Sequence, residues 1–237
     1  MKLLIVGGAG YVGTLIREAL EAEHLCSHFD LNAIPGKARM TVASVTDPEA
    51  IQSAVQGMDC VLYMPLGLRR GATNFLNDSQ YYFDVHALGF YYFVRAGLYS
   101  GVRRFIYVSS LSVYADLRSP KPLCEDDDPD CFDAYGLSKR LGEYIGEAAI
   151  QRNPDTCVTA VRLFHPRNET DWPVRRLLSD SVRRYALGPN DTRRLFQALV
   201  RFDQPGLHLM QASGDIEDEK FSNNRAYELL GWKPEGR

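Results

Sequence analysis

Lys2-Leu3-Leu4-Ile5-Val6 runs directly into Gly7-Gly8-Ala9-Gly10-Tyr11-Val12-Gly13 and then into Thr14-Leu15-Ile16-Arg17-Glu18-Ala19-Leu20. The first five residues are almost wholly apolar, as expected of a parallel strand buried on both faces. The last seven have helical spacing. Strand, glycine-rich turn and helix in that order form the setting of a dinucleotide fingerprint. Glycine allows the tight turn and lets backbone approach a pyrophosphate, while the helix start offers free N–H groups to that anion. The glycines at 7, 10 and 13 follow a G-x-x-G-x-x-G spacing. Gly7, Gly10, Tyr11, Val12 and Gly13 are therefore candidate cofactor residues.

Working outward, Leu25–Phe29 reads as a second strand ending in Asp30, seventeen residues beyond Gly13. An acid there accepts hydrogen bonds from ribose hydroxyls and repels a 2′-phosphate. No arginine follows it closely, so the expected cofactor is NAD rather than NADP. Strand and helix patterns then alternate as in a doubly wound parallel sheet. Further strands are expected at Arg39–Ser44, within Met58–Leu66, at Val102–Ser109, Thr156–Phe164 and Leu207–Gln211. Helices are expected from Asp47-Pro48-Glu49 to Val55, from Asn77 to Tyr99, from Phe132 to Arg152, from Thr192 to Phe202 and from Asn223 to Leu230. Asp47 is a plausible N-cap with Pro48 at the first helical position. The acidic run Glu125-Asp126-Asp127-Asp128 reads as solvated surface.

The totals agree. At 237 residues, 45% hydrophobic and 24% charged, the chain has room for one globular domain with a small lobe. A net charge of −3 gives no basic surface for nucleic acid, and no apolar run approaches membrane-spanning length. The N-terminus enters the first strand without a cleavable signal, and five scattered cysteines suit reduced thiols rather than disulfides or a metal site. A cytoplasmic protein with no metal is expected.

Chemistry is concentrated in Ser109-Ser110 and Tyr135-Gly136-Leu137-Ser138-Lys139. Tyr135 and Lys139 lie four apart on one helical face, and Ser110 falls at the carboxyl end of the fifth strand, where open parallel sheets bind ligands. A serine can hold a substrate oxygen and a tyrosine can exchange its proton. A lysine ammonium can help a phenol of ordinary pKa near ~10 to ionise.

With these motifs in place, the chain resembles the extended short-chain dehydrogenase/reductase superfamily, in its NAD-dependent epimerase/dehydratase branch. The resemblance covers nearly the whole chain: the glycine loop, Phe105–Tyr114 as the serine strand, the Y-x-x-x-K motif, and Leu229-Leu230-Gly231-Trp232-Lys233-Pro234 near the end. It implies a Rossmann-type α/β fold, with an NAD-binding domain over 1–164 and a small substrate-binding lobe over 165–237 interleaved with the last sheet elements. It implies Ser110, Tyr135 and Lys139 as catalytic residues. Asp47 and Leu66 join the cofactor set, and Ser112 and His165 the substrate set. The family usually has asparagine where His86 and His165 stand. His86 is expected as a packed helical residue with a lesser claim to a proton relay.

Only 98 residues follow Lys139, which suggests a small substrate rather than a nucleotide sugar. The layout after Arg162 resembles uronate dehydrogenases, whose substrate carboxylate is held by an arginine shortly after the sixth strand; Arg175 occupies that place. The expected function is NAD-dependent hydride transfer to or from a small sugar-like substrate. The alternatives are an epimerase or dehydratase returning the hydride internally, and a non-catalytic dinucleotide sensor. A homodimer through a four-helix bundle is also implied, with Tyr81, Tyr82, Phe90, Tyr91 and Phe93 as candidate interface residues.

Overall fold

The computed structural model describes residues 1–67, 75–117, 121–172 and 184–236. Seven parallel strands form one sheet in the order β3-β2-β1-β4-β5-β6-β7. They are β1 (Lys2–Val6), β2 (Leu25–Asp30), β3 (Met40–Val42), β4 (Cys60–Tyr63), β5 (Arg104–Ser110), β6 (Cys157–Leu163) and β7 (Gly206–Ala212). The expected doubly wound Rossmann-type α/β fold is the one observed. Strand order reverses between β1 and β4, which opens a crevice beyond their carboxyl ends.

Both sheet faces are buried, which explains the continuous apolar strands. Leu3 and Ile5 of β1 enter one core with Leu15, Ile16 and Leu20 of α1 (Tyr11–Glu21). Leu4 and Val6 enter the other, with Ile51 of α2 (Pro48–Ala54). A helical stretch from Phe75 to Tyr99 covers that second face. It consists of α3 (Phe75–Phe83), a π-helical turn (Asp84–Leu88) and α4 (Gly89–Tyr99). Phe90 and Phe93 are fully buried against the sheet, each contributing about 1.5–3 kcal/mol by burial. They belong to the core, whereas Tyr91 is 44% exposed.

The π turn admits one more residue into a helical turn than α geometry allows. Its Val85 and His86 carbonyls accept hydrogen bonds from the Tyr63 (2.5 Å) and Tyr107 (3.2 Å) hydroxyls of β4 and β5. The sheet thus fixes the turn and the direction in which His86 points.

A 3₁₀ turn (Leu111–Val113) follows β5, and α5 (Ala134–Arg152) packs against β5 and β6. Asp133 caps α5 by accepting from the Tyr135 and Gly136 amides, both at 3.0 Å. A side chain at Gly142 would overlap the Tyr107 ring. Glycine there lets α5 press onto β5, which lowers Lys139, three residues earlier, into the sheet. Helices α6 (Pro189–Arg201) and α7 (Asn224–Leu230) complete the chain, with α6 packed beside α1. Buried Asp191 on α6 accepts from the Glu235 and Gly236 amides at 3.0 Å and, through its carbonyl, from the Trp232 indole at 3.1 Å. Trp232 is the part of the Leu229–Pro234 segment that enters this clamp.

The acidic run departs from its expected solvated state at Glu125, which is 7% exposed. Its carboxylate accepts from the Gln211 amide of β7 at 2.7 Å, and burial pushes its pKa up. Charge composition cannot reveal an N–H brought in from 86 residues away. Asp126 and Asp127 pair with Arg225 (2.7 Å) and Lys121 (2.6 Å). All five cysteines are free thiols. Among the described residues no helix is long and apolar enough to cross a membrane, and no cluster of three or more His, Cys, Asp or Glu side chains could hold a metal.

Candidate active site

Gly7 leaves β1 at φ +86°, in the left-handed region that disfavours side chains. A Cβ there would also stand 2.8 Å from the Pro65 nitrogen. At Gly13 a Cβ would overlap the Gly8 carbonyl, so the turn closes only because Gly13 has no side chain. Helix α1 begins at Gly10 without a side-chain cap. Its first amides, from Tyr11, Val12 and Gly13, are the ones a helix start leaves without intrahelical partners. Tyr11 is partly exposed, its hydroxyl accepting from the Asn168 amide at 2.9 Å, and Val12 packs on the first core.

Asp30 ends β2 beside this turn. Its carboxylate accepts from the Ala9 amide at 2.9 Å and the Asn32 amide at 3.0 Å. A glycine cradle, an uncapped helix start and a fixed carboxylate together fit a dinucleotide whose pyrophosphate crosses the helix mouth and whose ribose meets Asp30. Asp47 caps α2, accepting from Ala50 N at 3.1 Å. Leu66 is 42% exposed after β4.

Ser110, Tyr135 and Lys139 converge beyond β5. The Ser110 hydroxyl accepts from the Ser112 amide at 3.1 Å and is close enough to the Tyr135 phenol to lower its pKa. The Ser112 carbonyl packs so closely on Gly136 that any side chain there would overlap it. That contact seats the start of α5 on the serine turn. Lys139 is 2% exposed, its Nζ donating to the Val108 carbonyl at 2.9 Å and the Pro65 carbonyl at 3.4 Å, 6.0 Å from the Tyr135 ring centroid.

Burial pushes the Tyr135 phenol above its ordinary pKa, opposed by the Ser110 hydroxyl. Burial also brings Lys139 down to about 7, opposed by the Glu143 carboxylate. The help expected from Lys139 is therefore tied to its proton, which burial disfavours and the Glu143 carboxylate favours.

His86 is fully buried, its Nε2 donating to the Leu66 carbonyl at 2.8 Å. Burial and the Lys139 charge push its pKa well down. In the neutral tautomer Nδ1 then accepts from the Ser138 hydroxyl at 2.8 Å. Tyr82, His86 and Tyr135 form a ring cluster with centroids 5.4–5.7 Å apart. His165 follows β6 at φ 41°, strained for a residue with a side chain. Its ring edge lies against Phe164, and burial lowers its pKa. Arg175 lies outside the described residues. Sequence reasoning did not anticipate the buried Glu143–Arg162 pair behind the site; the spacing of Glu143, four after Lys139, was its available signal.

The NAD dependent epimerase/dehydratase family model matches residues 3–199. The chain belongs to that family. NAD is accordingly its cofactor. An L-arabinose 1-dehydrogenase (NAD(P)+) from Haloferax volcanii is 25% identical over 98% of this chain and 96% of its own. A uronate dehydrogenase from Pseudomonas syringae pv. tomato is 26% identical over 60% of this chain and 51% of its own. A 3-beta-hydroxysteroid dehydrogenase from Mycolicibacterium neoaurum is 34% identical over 47% of this chain. The match spans 32% of that relative's length, and several other curated relatives are likewise matched over about a third to a half.

Among solved structures, a short-chain dehydrogenase/reductase superfamily protein from Agrobacterium tumefaciens with bound NAD superposes with a TM-score of 0.81 at 20% identity. The superposition covers 99% of this chain and 93% of that one. A UDP-glucose 4-epimerase from Bifidobacterium longum reaches 0.80 at 18% identity, covering 99% and 94%. Both share the fold of this chain.

Proposed function

We propose that the protein is an NAD-dependent dehydrogenase acting on a hydroxyl of a small, polyhydroxylated sugar, with aldoses and uronic acids as the substrate class. The observation that carries this reading is the Ser110–Tyr135–Lys139 cluster beyond β5. It stands at the carboxyl end of the same sheet as the glycine loop and Asp30.

Ser110 holds the reacting oxygen, and Tyr135 takes its proton as the carbon–hydrogen bond breaks. The Lys139 ammonium, anchored by two carbonyls, keeps its remaining donor capacity for the nicotinamide ribose and stabilises the phenolate. NAD, when bound, accepts the hydride. Asp30 receives the adenosine ribose hydroxyls, and Asp47 and Leu66 border the cofactor. Ser112 and His165 face the sugar, with Arg175 as the partner for a substrate carboxylate. Residues 165–237 act as the substrate lobe. The match to L-arabinose 1-dehydrogenase over nearly the whole of both chains supports a small sugar.

The test is NADH formation from NAD with a panel of uronic acids, neutral aldoses and simple alcohols. NADH with one sugar class names the substrate group. Silence with NAD still bound favours epimerisation with internal hydride return. Asp30→Asn is expected to weaken NAD binding about ten- to a hundredfold, since one charge-assisted hydrogen bond is worth about 1.5–3 kcal/mol, and to narrow the preference over NADP. Calorimetric dissociation constants for both dinucleotides check this. Exposed Leu88, Tyr91 and Tyr144 on the α4–α5 side support a homodimer through those helices, which a single-chain mass in light scattering would refute.

A further inference from the structure

Behind the reacting groups lies a charge pair that the proposed chemistry does not use. Arg162 on β6 is 2% exposed and Glu143 on α5 is 7% exposed. Arg162 donates from Nε to Glu143 Oε1 at 2.9 Å and from Nη2 to Oε2 at 2.8 Å. The Ser109 hydroxyl donates to the same Oε1 at 2.6 Å. From its third nitrogen Arg162 donates to the Tyr114 hydroxyl at 2.6 Å, which donates on to the Cys124 carbonyl at 2.8 Å. One carboxylate thus joins α5 to β5 and β6, and through the arginine to the segment after β5.

A buried ion pair seldom improves stability over apolar residues of similar size, because desolvating two charges offsets most of their attraction. The position of this one suggests what else it does. Glu143 is one helical turn after Lys139 on the same face, and Ser109 immediately precedes Ser110. Facing Lys139 are the Tyr107 ring of β5 at 5.3 Å, the Tyr135 ring of α5 at 6.0 Å, and His86 of the π turn, which feels its charge. Facing Glu143 are Arg162, Ser109, Tyr114 and Tyr107. Among the described groups, Glu143 is the acid that acts on Lys139.

We propose that Glu143 is a positioning residue of the active site: fixed by Arg162 from β6 and by Ser109 from β5, it supplies the carboxylate that acts on the Lys139 ammonium one helical turn away. This deepens the reading of Lys139 given above. Ser109 and Arg162 hold the carboxylate in place on the helix face that carries Lys139. The same anchoring sets the register of Ser110 relative to Tyr135.

Glu143→Gln keeps the shape and removes the charge, but strands Arg162. The double variant Glu143→Gln/Arg162→Met removes both charges. Lysine labelled with 13C at the ε position, with Lys139→Met to assign its signal, reports the Lys139 titration without turnover. The expected result is a midpoint about 1 unit lower than wild type in whichever variant folds, with Glu143→Asp close to wild type. Turnover with NAD and D-glucuronate should fall with an unchanged KM for NAD. An unchanged midpoint in a folded variant would overturn the proposal. So would failure of both variants to fold, which would make the pair structural. A wild-type protein inactive on every sugar would count against the dehydrogenase reading alone, because the titration needs no substrate.

Discussion

Tyr135→Phe should lower turnover by about a thousandfold while the fold and NAD affinity stay as in wild type. A positioned proton acceptor contributes about 10²- to 10⁴-fold, and the phenol is the group placed to act here. It lies within the influence of the Ser110 hydroxyl and edge-on to both His86 and Tyr82. Phenylalanine keeps both ring contacts and removes only the hydroxyl, so packing should survive. Initial rates with the best sugar and calorimetry with NAD separate the two effects. A variant retaining a tenth of the activity would move proton transfer to another group, with His86 the nearest candidate.

Arg162→Met should destabilise the protein by about 3–5 kcal/mol, the usual cost of leaving one member of a buried pair uncompensated. Glu143 would keep only the Ser109 hydroxyl from its present set, and Tyr114 would lose its donor. The shift of the urea midpoint measures this. Adding Glu143→Gln to Arg162→Met should recover most of the loss, because the stranded charge disappears with its partner. Equal losses in the single and double variants would mean that packing, not charge, carries the cost.

The parts of this molecule legible from sequence are those encoded by short spacings. Three glycines and Asp30 marked the turn after β1, the start of α1 and the end of β2 because these are local events. The separation of Tyr135 from Lys139 placed them on one helical face, and the strand ending at Ser110 set them beyond the sheet. Helix α6 begins at Pro189, three residues before the expected Thr192, although proline at the first helical position after Gly188 was a readable start signal.

Features made by tertiary register were not legible. Glu143 and Arg162 meet only once α5 has crossed the sheet and β6 has returned beside β5. Glu125 looks solvated until the Gln211 amide is brought to it. The π turn at Asp84–Leu88 leaves no trace in apolar periodicity, because the hydroxyls that satisfy its carbonyls come from Tyr63 and Tyr107 on other elements. His86 could be read as packed, as it is, but its bonds to Leu66 and Ser138 needed the fold.

Net hydride transfer from a sugar carbon to NAD is the reaction proposed for the Ser110–Tyr135–Lys139 site. D-Glucuronate and L-arabinose, each carrying deuterium at C1, can be incubated with the protein and NAD, with the cofactor and sugar then analysed by mass spectrometry. The account predicts deuterated NADH accumulating in step with the oxidised sugar for at least one of the two, and none with Tyr135→Phe. Bound NAD that never accumulates as NADH, with both sugars recovered unoxidised and their deuterium retained, would contradict it.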